Sequence, residues 1–386
     1  MFPNLSYLVQ YFTGLHLEFL QPFQSFGLMM AVAFLCSAWV LVKEMKRKES
    51  AGLMRPFIRT RTKGKPAGIE DYLLHAAGGF VVGYKLVPVI WQFHVFAQDP
   101  QAFLLSGHGT WWSGLVLAAA VAYLKYYENR KERKDYPEPV PVSESVWPHQ
   151  TVGDITILAA ISGLIGAKVF DGLENPATFF QTIFSPFAGL TFYGGLLFGT
   201  LTVIWYIRRK KISIIHMADA IAPSLILAYG LGRIGCQLAG DGDWGIINAS
   251  PKPSWFILPE WVWHFNYPHN VVEEGVAIPG CVGRYCTELP QPVFPTPFYE
   301  TVMSLFLFVL LWRLRKKIQI PGVLFSLYIL LNGIERLLIE LIRVNARYEI
   351  GGFSFTQAEM IASFLILAGA GGILFFRRRY RRQMPQ

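Results

Sequence analysis

A glycine-rich segment built around a single arginine contains the residues best suited to chemistry. The segment reads GLGRIGCQLAGDGDWG over residues 230–245, and its polar side chains include Arg233, Cys236, Asp241 and Asp243. Glycines allow a ligand to approach the backbone closely, and a guanidinium presents a fork of donors that matches a phosphate group. The pattern therefore favours a phosphate-binding site, although a glycine-packed helix that ends in an Asp-rich turn would have the same composition.

A second group of polar residues lies in NGIERLLIELIR, residues 332–343. Arg336, Glu340 and Arg343 are spaced i, i+4 and i+7, so a helix places them on one face. Such a ladder can neutralise itself as a structural ion network. Alternatively, its arginines can hold a lipid phosphate near the membrane surface.

Two shorter motifs complete the candidate residues. LTFYGGLLFG places Tyr193 directly before Gly194 and Gly195, and FPTPFYE places Tyr299 directly before Glu300. An aromatic residue beside small residues more often marks the close packing of two helices than a ligand site. The first motif is therefore informative only together with the two arginine-containing groups.

The composition indicates what must position these residues. Of 386 residues, 53% are hydrophobic and only 16% are charged, whereas a soluble domain has about 25% charged residues. The formal net charge of +9 comes from short basic bursts between long apolar runs, so we expect no nucleic-acid partner. The sequence predicts an all-α polytopic membrane protein.

Several apolar segments are long enough to cross a bilayer as helices, which requires about 20 residues each. They predict about nine transmembrane helices, named spans 1–9 in chain order, near residues 24–42, 70–92, 109–125, 153–171, 189–207, 217–238, 297–314, 322–342 and 354–376. Ionisable residues at membrane depth are costly and usually mark function. The candidate residues lie within spans 5–8 or at their ends.

The distribution of Lys and Arg predicts the orientation. Basic residues concentrate after spans 1, 3, 5, 7 and 9, whereas 93–108 and 172–188 have none and 239–296 has only Lys252 and Arg284. The positive-inside rule then places the N-terminus outside and the C-terminus in the cytoplasm. Residues 239–296 become a large extracytoplasmic cap between spans 6 and 7, on the side where the candidate residues gather.

Cys281 and Cys286 lie in this cap, five residues apart. In an oxidising compartment such a pair can close a small disulfide. A zinc site would need further ligands, and His264 and His269 do not have a recognisable ligand spacing. The pattern favours a disulfide here, and we expect no metal.

The arginine segment GRIGCQLAGDGDWG resembles the signature G-R-x-G-N-F-x-N-G-E-x-W-G of prolipoprotein diacylglyceryl transferases. Four further segments follow in the order of that family: SFGLMMAVAF in span 1, TFYGGLLFG in span 5, FPTPFYE at span 7 and GIERLLIELIR in span 8. The resemblance covers spans 1 and 4–9. It implies that residues 1–386 form a single integral membrane domain, in which 70–150 is an inserted helical hairpin and loop.

The resemblance implies an enzyme of lipoprotein biosynthesis, at the outer leaflet of a bacterial cytoplasmic (inner) membrane. Its reaction would transfer a diacylglyceryl group from phosphatidylglycerol to the thiol of the lipobox cysteine of a prolipoprotein, the first step of lipoprotein maturation. A thioether forms, glycerol phosphate leaves, and no cofactor is needed. The expected partners are phosphatidylglycerol, a prolipoprotein signal peptide with its lipobox cysteine, and membrane lipids.

The resemblance also assigns expected roles to the candidate residues. Arg233 and Arg336 would stabilise the leaving phosphate, which accumulates negative charge. The expected catalytic residues are Arg233, Arg336, Tyr193, Asp241 and Glu340. The expected substrate-binding residues are Gly194, Gly195, Gly232, Gly235, Gly245, Tyr299, Glu300 and Arg343, and Glu340 with Arg343 would hold the ladder of span 8 in register.

The sequence departs from the family pattern where a base is needed. The family usually has His before the Gly-Gly pair, and this position is Tyr193 here; Cys236 and Ala239 replace two Asn, and Asp241 replaces Glu. A tyrosine with a pKa near 10 is a poor base. The base is therefore Tyr193 beside Arg233, or an acid at the outer face: Asp241, Asp243, Glu300 or Glu340.

These departures keep two rival functions open. The first is a relative that uses another lipid donor or another acceptor. The second is a non-catalytic membrane protein that binds or transports lipid, which would bind lipid without turnover.

Overall fold

The computed structural model describes residues 1–15, 17–98, 103, 106, 107, 109–176, 191–281, 283–345, 347–350 and 353–383. Within these ranges the α-helices are α1 (Leu5–Thr13), α2 (Ser25–Ser50), α3 (Ile69–Lys85), α4 (Phe93–Gln98), α5 (Trp111–Asp135), α6 (Val152–Glu174), α7 (Phe192–Arg209), α8 (Ile214–Ala239), α9 (Glu260–Trp263), α10 (Thr296–Leu314), α11 (Val323–Glu340) and α12 (Gln357–Gln383). The first two residues of predicted span 5 lie outside the described ranges.

Each predicted span overlaps one of these helices. In the described part of the chain, six helical segments are long and apolar enough to cross a membrane: Ser25–Ser50, Ile69–Ile90, Pro148–Glu174, Ile214–Ala239, Thr296–Leu314 and Gln357–Arg382. The prediction of an all-α polytopic membrane protein is confirmed. The number nine stays a prediction, partly because the ionisable residues of α11 lower its apolar character.

The structure corrects three predicted boundaries. Span 2 is a regular helix only to Lys85 and then forms a 3₁₀ turn, because Pro88 has no N–H to continue the helical pattern. Span 3 continues through a charged stretch to Asp135. Span 8 ends at Glu340, so Arg343 lies beyond the helix, and the predicted i, i+4, i+7 ladder does not form on one helix face.

Short strands, which the apolar patterns did not predict, pair in antiparallel fashion. The pairs are β1 (Phe57–Lys63) with β2 (Val140–Val146), β3 (Val276–Ala277) with β4 (Thr287–Glu288), and β5 (Arg347–Ile350) with β6 (Phe353–Thr356). The first pair joins the chain before α3 to the chain after α5. The helices α3 and α5 pack against each other, so they form a helical hairpin whose open end is closed by the β1–β2 ribbon. The description of this hairpin as an insertion stays a prediction.

Helix α8 lies at the centre of the fold, in contact with α2, α10 and α11. Met217 and Ala220 in its first half pack with Leu41 and Met45 of α2 and with Ile155 of α6. At its middle, Ile226 belongs to another buried apolar cluster, with Leu307, Leu311 and Leu324 from α10 and α11. The apolar packing therefore fixes α8, and with it Arg233, relative to α2, α6, α10 and α11.

Charged side chains join neighbouring helices near the N-terminus of α8. Asp219 of α8 accepts hydrogen bonds from the backbone N–H groups of Gly322 (2.8 Å) and Phe325 (3.0 Å), so it caps the N-terminus of α11. Lys48 lies 3.7 Å from the same carboxylate. Close by, the buried Glu44 of α2 pairs with Arg47 of the same helix and with Arg315 at the end of α10. The contact of Glu44 with Arg315 fixes the position of α10, and the contacts of Asp219 fix that of α11.

Helices α6 and α7 approach each other through glycines. A Cβ atom at Gly166 would overlap the carbonyl oxygen of Gly194, and a Cβ atom at Gly194 would overlap that of Gly166. By contrast, a Cβ atom at Gly153, also in α6, would meet nothing within 4 Å. Close packing of small residues is a common way to join membrane helices.

Gly166→Ala is expected to destabilise the protein by about 1–3 kcal/mol, because the added methyl group must separate α6 from α7. Gly153→Ala is the matched control and is expected to be neutral or stabilising by about 0.5–1 kcal/mol, since alanine favours a helix over glycine. Thermal unfolding of the purified protein in detergent measures both. Equal stability of the two variants would contradict this account of the contact.

Candidate functional site

The carboxylate of Glu300 is the centre of a buried ion network. Glu300 lies in the first turns of α10 and its side chain has no solvent exposure. One oxygen lies 2.5 Å from Arg233 Nε, and the other lies 3.1 Å from Arg343 Nη1 and 3.6 Å from Arg336 Nη1. The network therefore joins α8, α10, α11 and the chain that follows α11.

Asp243 supplies the second carboxylate of the network. Its two oxygens pair with Arg233 Nη1 and Arg343 Nη2, so both arginines bridge Asp243 and Glu300. The backbone carbonyl of Asp243 accepts a hydrogen bond of 2.7 Å from the hydroxyl of Thr296, the first residue of α10. The loop after α8 is thereby fixed to the start of α10.

Glu340 holds the third arginine. Its carboxylate lies 3.0 Å from Arg336 Nη2 and accepts hydrogen bonds from Asn345 (2.6 Å) and the hydroxyl of Thr356 (2.5 Å). Arg343 pairs with Glu300 and Asp243, not with Glu340, because the helix ends before it. The pairing of Arg336 with Glu340 agrees with the ladder predicted from the sequence. The prediction that Arg343 extends this ladder is wrong.

Gly245 allows two chain segments to meet beside the network. It forms a β-bridge with Arg343, and its N–H donates to the carbonyl of Phe294 at 2.9 Å. A Cβ atom here would overlap the carbonyl oxygen of Ile342 and lie 2.8 Å from Thr296. A side chain at position 245 would therefore displace the backbone that carries Arg343.

The other signature glycines contact neighbouring helices. A Cβ atom at Gly235 would lie 3.1 Å from Met29 of α2, and a Cβ atom at Gly232 would lie 3.6 Å from Met30. Gly240 ends α8 in the left-handed region with φ +65°, which favours glycine. These contacts explain the glycines by packing and chain reversal, and their role in substrate binding stays a prediction.

The charges of the network balance, but its members differ in access to solvent. Arg233, Arg336 and Arg343 face the carboxylates of Asp243, Glu300 and Glu340. Arg336 is 24% exposed, against 15% for Arg233 and 13% for Arg343. Arg336 is therefore the most accessible guanidinium of the three.

Asp241 lies next to the network without an ion pair among the described residues. Its carboxylate accepts a hydrogen bond from the backbone N–H of Asp243 at 3.4 Å, and the Cys236 sulfur lies within 4.8 Å of it. Burial raises the pKa of Asp241 above its ordinary value, and the negative charge of Asp243 adds to that effect. Among the described acids near the network, Asp241 and Glu335 are thus the two whose carboxylates make no ion pair with an arginine.

Cys236, Asp241 and Asp243 bring their potential ligand atoms within 4.8 Å of one another. Arginine nitrogens already occupy both oxygens of Asp243, and Arg233 Nη1 also donates to the Cys236 sulfur at 3.7 Å. Adjacent guanidinium groups disfavour a metal cation. We therefore do not assign a metal site to this group.

Tyr193, Gly194 and Gly195 lie at the start of α7, where the two glycines contact Gly166 and Gly163 of α6. The side chain of Tyr193 is 38% exposed. The packing interpretation of this motif therefore has direct structural support, while its catalytic and binding roles stay predictions.

Tyr299 attaches the cap to α10. Its hydroxyl donates to the carbonyl of Val262 at 2.6 Å. The structure thus engages this hydroxyl in a contact within the protein, and the expected role of Tyr299 in substrate binding stays a prediction.

Sequence reasoning gave too little weight to four residues of the site. Asp243 was named only as one alternative base, and Asn345 and Thr356 were not identified because they lie outside any motif. Tyr229, whose ring centroid lies 5.1 Å from Arg233 Cζ, could have been found from its i, i+4 spacing to Arg233.

Glu335 is a second buried acid of α11. It is 3% exposed, and neither of its oxygens has a hydrogen-bond partner among the described residues.

In the cap, the structure joins Cys281 and Cys286 in a disulfide.

The fold and the site define an integral membrane protein whose partly buried arginines are held by carboxylates. The family profile described as prolipoprotein diacylglyceryl transferase matches residues 111–375. This match covers more than half of the sequence. The chain belongs to the prolipoprotein diacylglyceryl transferase family.

Several curated proteins are similar to this chain. A phosphatidylglycerol–prolipoprotein diacylglyceryl transferase of Corynebacterium glutamicum is 29% identical over 245 residues, which cover 61% of this chain and 72% of that protein. Proteins of the same name from Clostridium tetani and Chlorobaculum tepidum are each 26% identical; the alignments cover 74% and 75% of this chain and 100% and 93% of those proteins.

Glu300→Gln is expected to destabilise the folded protein by about 3–5 kcal/mol, because it leaves three buried guanidinium groups short of one negative charge. Glu18→Gln, at an exposed acid, is the control and is expected to change stability little. Unfolding in detergent, followed by intrinsic fluorescence, compares the two. A Glu300→Gln protein as stable as the control would show that the network does not depend on this charge.

Proposed function

We propose that this chain transfers a diacylglyceryl group from phosphatidylglycerol to the thiol of the lipobox cysteine in a prolipoprotein signal peptide. The observation that carries the proposal is the arginine network at the end of α8, in a chain of this family. A phosphate diester that loses its diacylglyceryl group becomes a monoester with more negative charge. Prearranged guanidinium groups stabilise such developing charge.

Arg336 is proposed to make direct contact with the lipid phosphate. It is the most exposed of the three arginines, and its closest carboxylate in the network is Glu340 at 3.0 Å. Arg233 and Arg343 each bridge Glu300 and Asp243, so they supply positive potential and hold the network together. Glu340 acts as a positioning residue, because Arg336, Asn345 and Thr356 already use its oxygens.

Asp241 is proposed to accept the proton of the attacking thiol. The carboxylates of Asp243, Glu300 and Glu340 are engaged by arginines, whereas Asp241 has no ion pair among the described residues. In the reaction the S–H proton passes to Asp241, the thiolate forms a bond to the glyceryl carbon, and the C–O bond to phosphate breaks. Glycerol phosphate leaves with the electron pair of that bond.

The membrane and the orientation are part of the proposal. The alternation of basic and neutral loops supports an external N-terminus and a cytoplasmic C-terminus in a bacterial cytoplasmic membrane. With this orientation, the network and residues 239–296 face the extracytoplasmic side. Secreted prolipoproteins and the lipids of the outer leaflet meet on that side.

Arg336→Ala is expected to lower kcat about 10²- to 10³-fold, since it removes a preformed donor for the leaving phosphate. The assay gives purified protein phosphatidylglycerol and a lipobox peptide and measures the thioether product by mass spectrometry. Arg313→Ala, in the last turn of α10, is the matched control and is expected to keep its activity. Normal turnover by Arg336→Ala, or an equal loss in both variants, would contradict the assigned role.

The same assay tests the rival functions. Product with other glycerophospholipids but not with phosphatidylglycerol would indicate a different donor. Lipid binding without any thioether product would indicate a non-catalytic relative.

The pH dependence of kcat/KM tests Asp241. A base must be ionised, so activity falls as the pH decreases through the pKa of Asp241, which burial raises above the ordinary value, about 3.9 for aspartate. Asp241→Asn is expected to lose about 10²- to 10⁴-fold in turnover. Its residual rate should increase with pH toward the pKa of the peptide thiol, about 8.5.

Two variants serve as comparisons for Asp241→Asn. Glu274→Gln, at an exposed acid of the cap, should keep the parent profile. Tyr193→Phe distinguishes the alternative base: if it abolishes turnover while Asp241→Asn keeps the parent profile, the proton acceptor is Tyr193.

A further inference from the structure

The cap contains an exposed apolar loop that the arginine site does not use. This loop, residues 253–258, reads PSWFIL and is named the aromatic tip. Trp255 is 72% exposed and Ile257 is 93% exposed, and Leu258 beside them is also exposed. Large side chains of this kind in one short loop form a concentrated apolar surface, which usually marks a contact with a partner or a membrane.

Hydrogen bonds fix the shape of the aromatic tip. The N–H of Phe256 donates to the carbonyl of Pro253 at 3.0 Å. Lys252 Nζ donates to the carbonyl of Leu258 at 3.1 Å, which closes the base of the loop. The ammonium group of Lys252 therefore points to the backbone of the loop. The apolar side chains are therefore held outward by a preformed turn.

Ring contacts connect the aromatic tip to the body of the cap. The rings of Trp255 and Phe256 both lie edge-on to Trp263, with centroid distances of 6.2 and 5.2 Å. Trp263 in turn contacts Phe294 at 6.3 Å, and its indole N–H donates to the carbonyl of Ser250 at 3.0 Å. The tip therefore cannot fold back to bury its side chains without breaking these contacts.

The attachment of the tip gives its level relative to the membrane. Helix α9, which follows the tip, contacts the first turn of α10: the Trp261 ring lies 4.9 Å from that of Phe298, and Tyr299 donates to Val262. Helix α10 begins at Thr296 and is one of the segments able to cross a membrane. The base of the aromatic tip therefore lies beside the first turn of a helix that is able to cross a membrane.

We infer that the aromatic tip inserts into the headgroup and glycerol region of the adjacent membrane leaflet. Indole rings prefer this region, and an apolar surface on a polar protein commonly lies about 5–10 Å into it. Ring contacts connect the tip through Trp263 to Phe294, directly before α10, and Trp261 of α9 contacts Phe298 in its first turn. This connection to a helix able to cross a membrane argues for lipid as the partner of the tip. Because the Tyr299 hydroxyl donates a hydrogen bond to Val262 of α9, insertion of the tip would also fix the depth of Glu300 and its arginine partners relative to the membrane.

The test uses the full-length protein in phosphatidylcholine–phosphatidylglycerol vesicles. Ile257→Cys, made in a Cys36→Ser background, is labelled with an environment-sensitive fluorophore, and Glu274→Cys on the same cap is the matched control. Quenching is measured with nitroxide lipids that carry the nitroxide near the glycerol backbone, and with iodide in water. We expect the probe at position 257 to be quenched severalfold more by the nitroxide lipid, and the probe at position 274 by iodide.

Two results would overturn the inference. Equal access of iodide to positions 257 and 274 would show that the tip lies in water. Shielding of position 257 that depends on the protein-to-lipid ratio, without nitroxide quenching, would indicate a second copy of the chain as the partner.

A further variant separates insertion of the tip from insertion of the probe. Trp255→Ser combined with Leu258→Ser in the labelled protein should reduce nitroxide quenching severalfold, because these side chains supply the apolar surface. Unchanged quenching would show that the fluorophore itself inserts, and would also overturn the inference. Neither substitution touches the arginine network, so the outcome does not depend on the proposed transferase activity.

Discussion

The pairing of the Glu300 carboxylate with three guanidinium groups is the interaction on which the rest of this structure depends. An isolated charge away from water is strongly unfavourable, and a buried pair is stable only when its partners are well placed. Arg233 lies in α8, Glu300 in α10, Arg336 in α11 and Arg343 in the segment directly after α11, so the charges pair only if these elements are correctly placed. The network thereby makes the positions of α8, α10 and α11 mutually dependent.

The charged residues near the two ends of α8 have different environments. At the end where α8 begins, Asp219 caps α11 and Glu44 pairs with two arginines, so these carboxylates are saturated by structural contacts. At the Glu300 end, Arg336 keeps solvent access and Asp241 has no ion pair among the described residues. Chemistry is proposed at this second end because some of its charged groups remain able to interact with a substrate.

The cap contributes to the site by returning the chain to the membrane surface. Gly245 permits the backbone bridge that carries Arg343, and Tyr299 attaches α9 beside Glu300. The aromatic tip extends from this attachment. The position of the arginines and the contacts of the cap are therefore parts of one arrangement.

Local patterns in the sequence determined the membrane class, the approximate helices, Arg233 and the pairing of Arg336 with Glu340, because hydropathy and i, i+4 spacing are properties of neighbouring residues. The family resemblance followed from ordered motifs that are also local. Tertiary structure alone decided that Glu300 is the shared partner of three arginines, that Asp243 bridges two of them, and that Arg343 lies beyond α11. These contacts join residues up to about 100 positions apart, as in the pair Arg343–Asp243, and only packing of the helices around α8 brings such residues together.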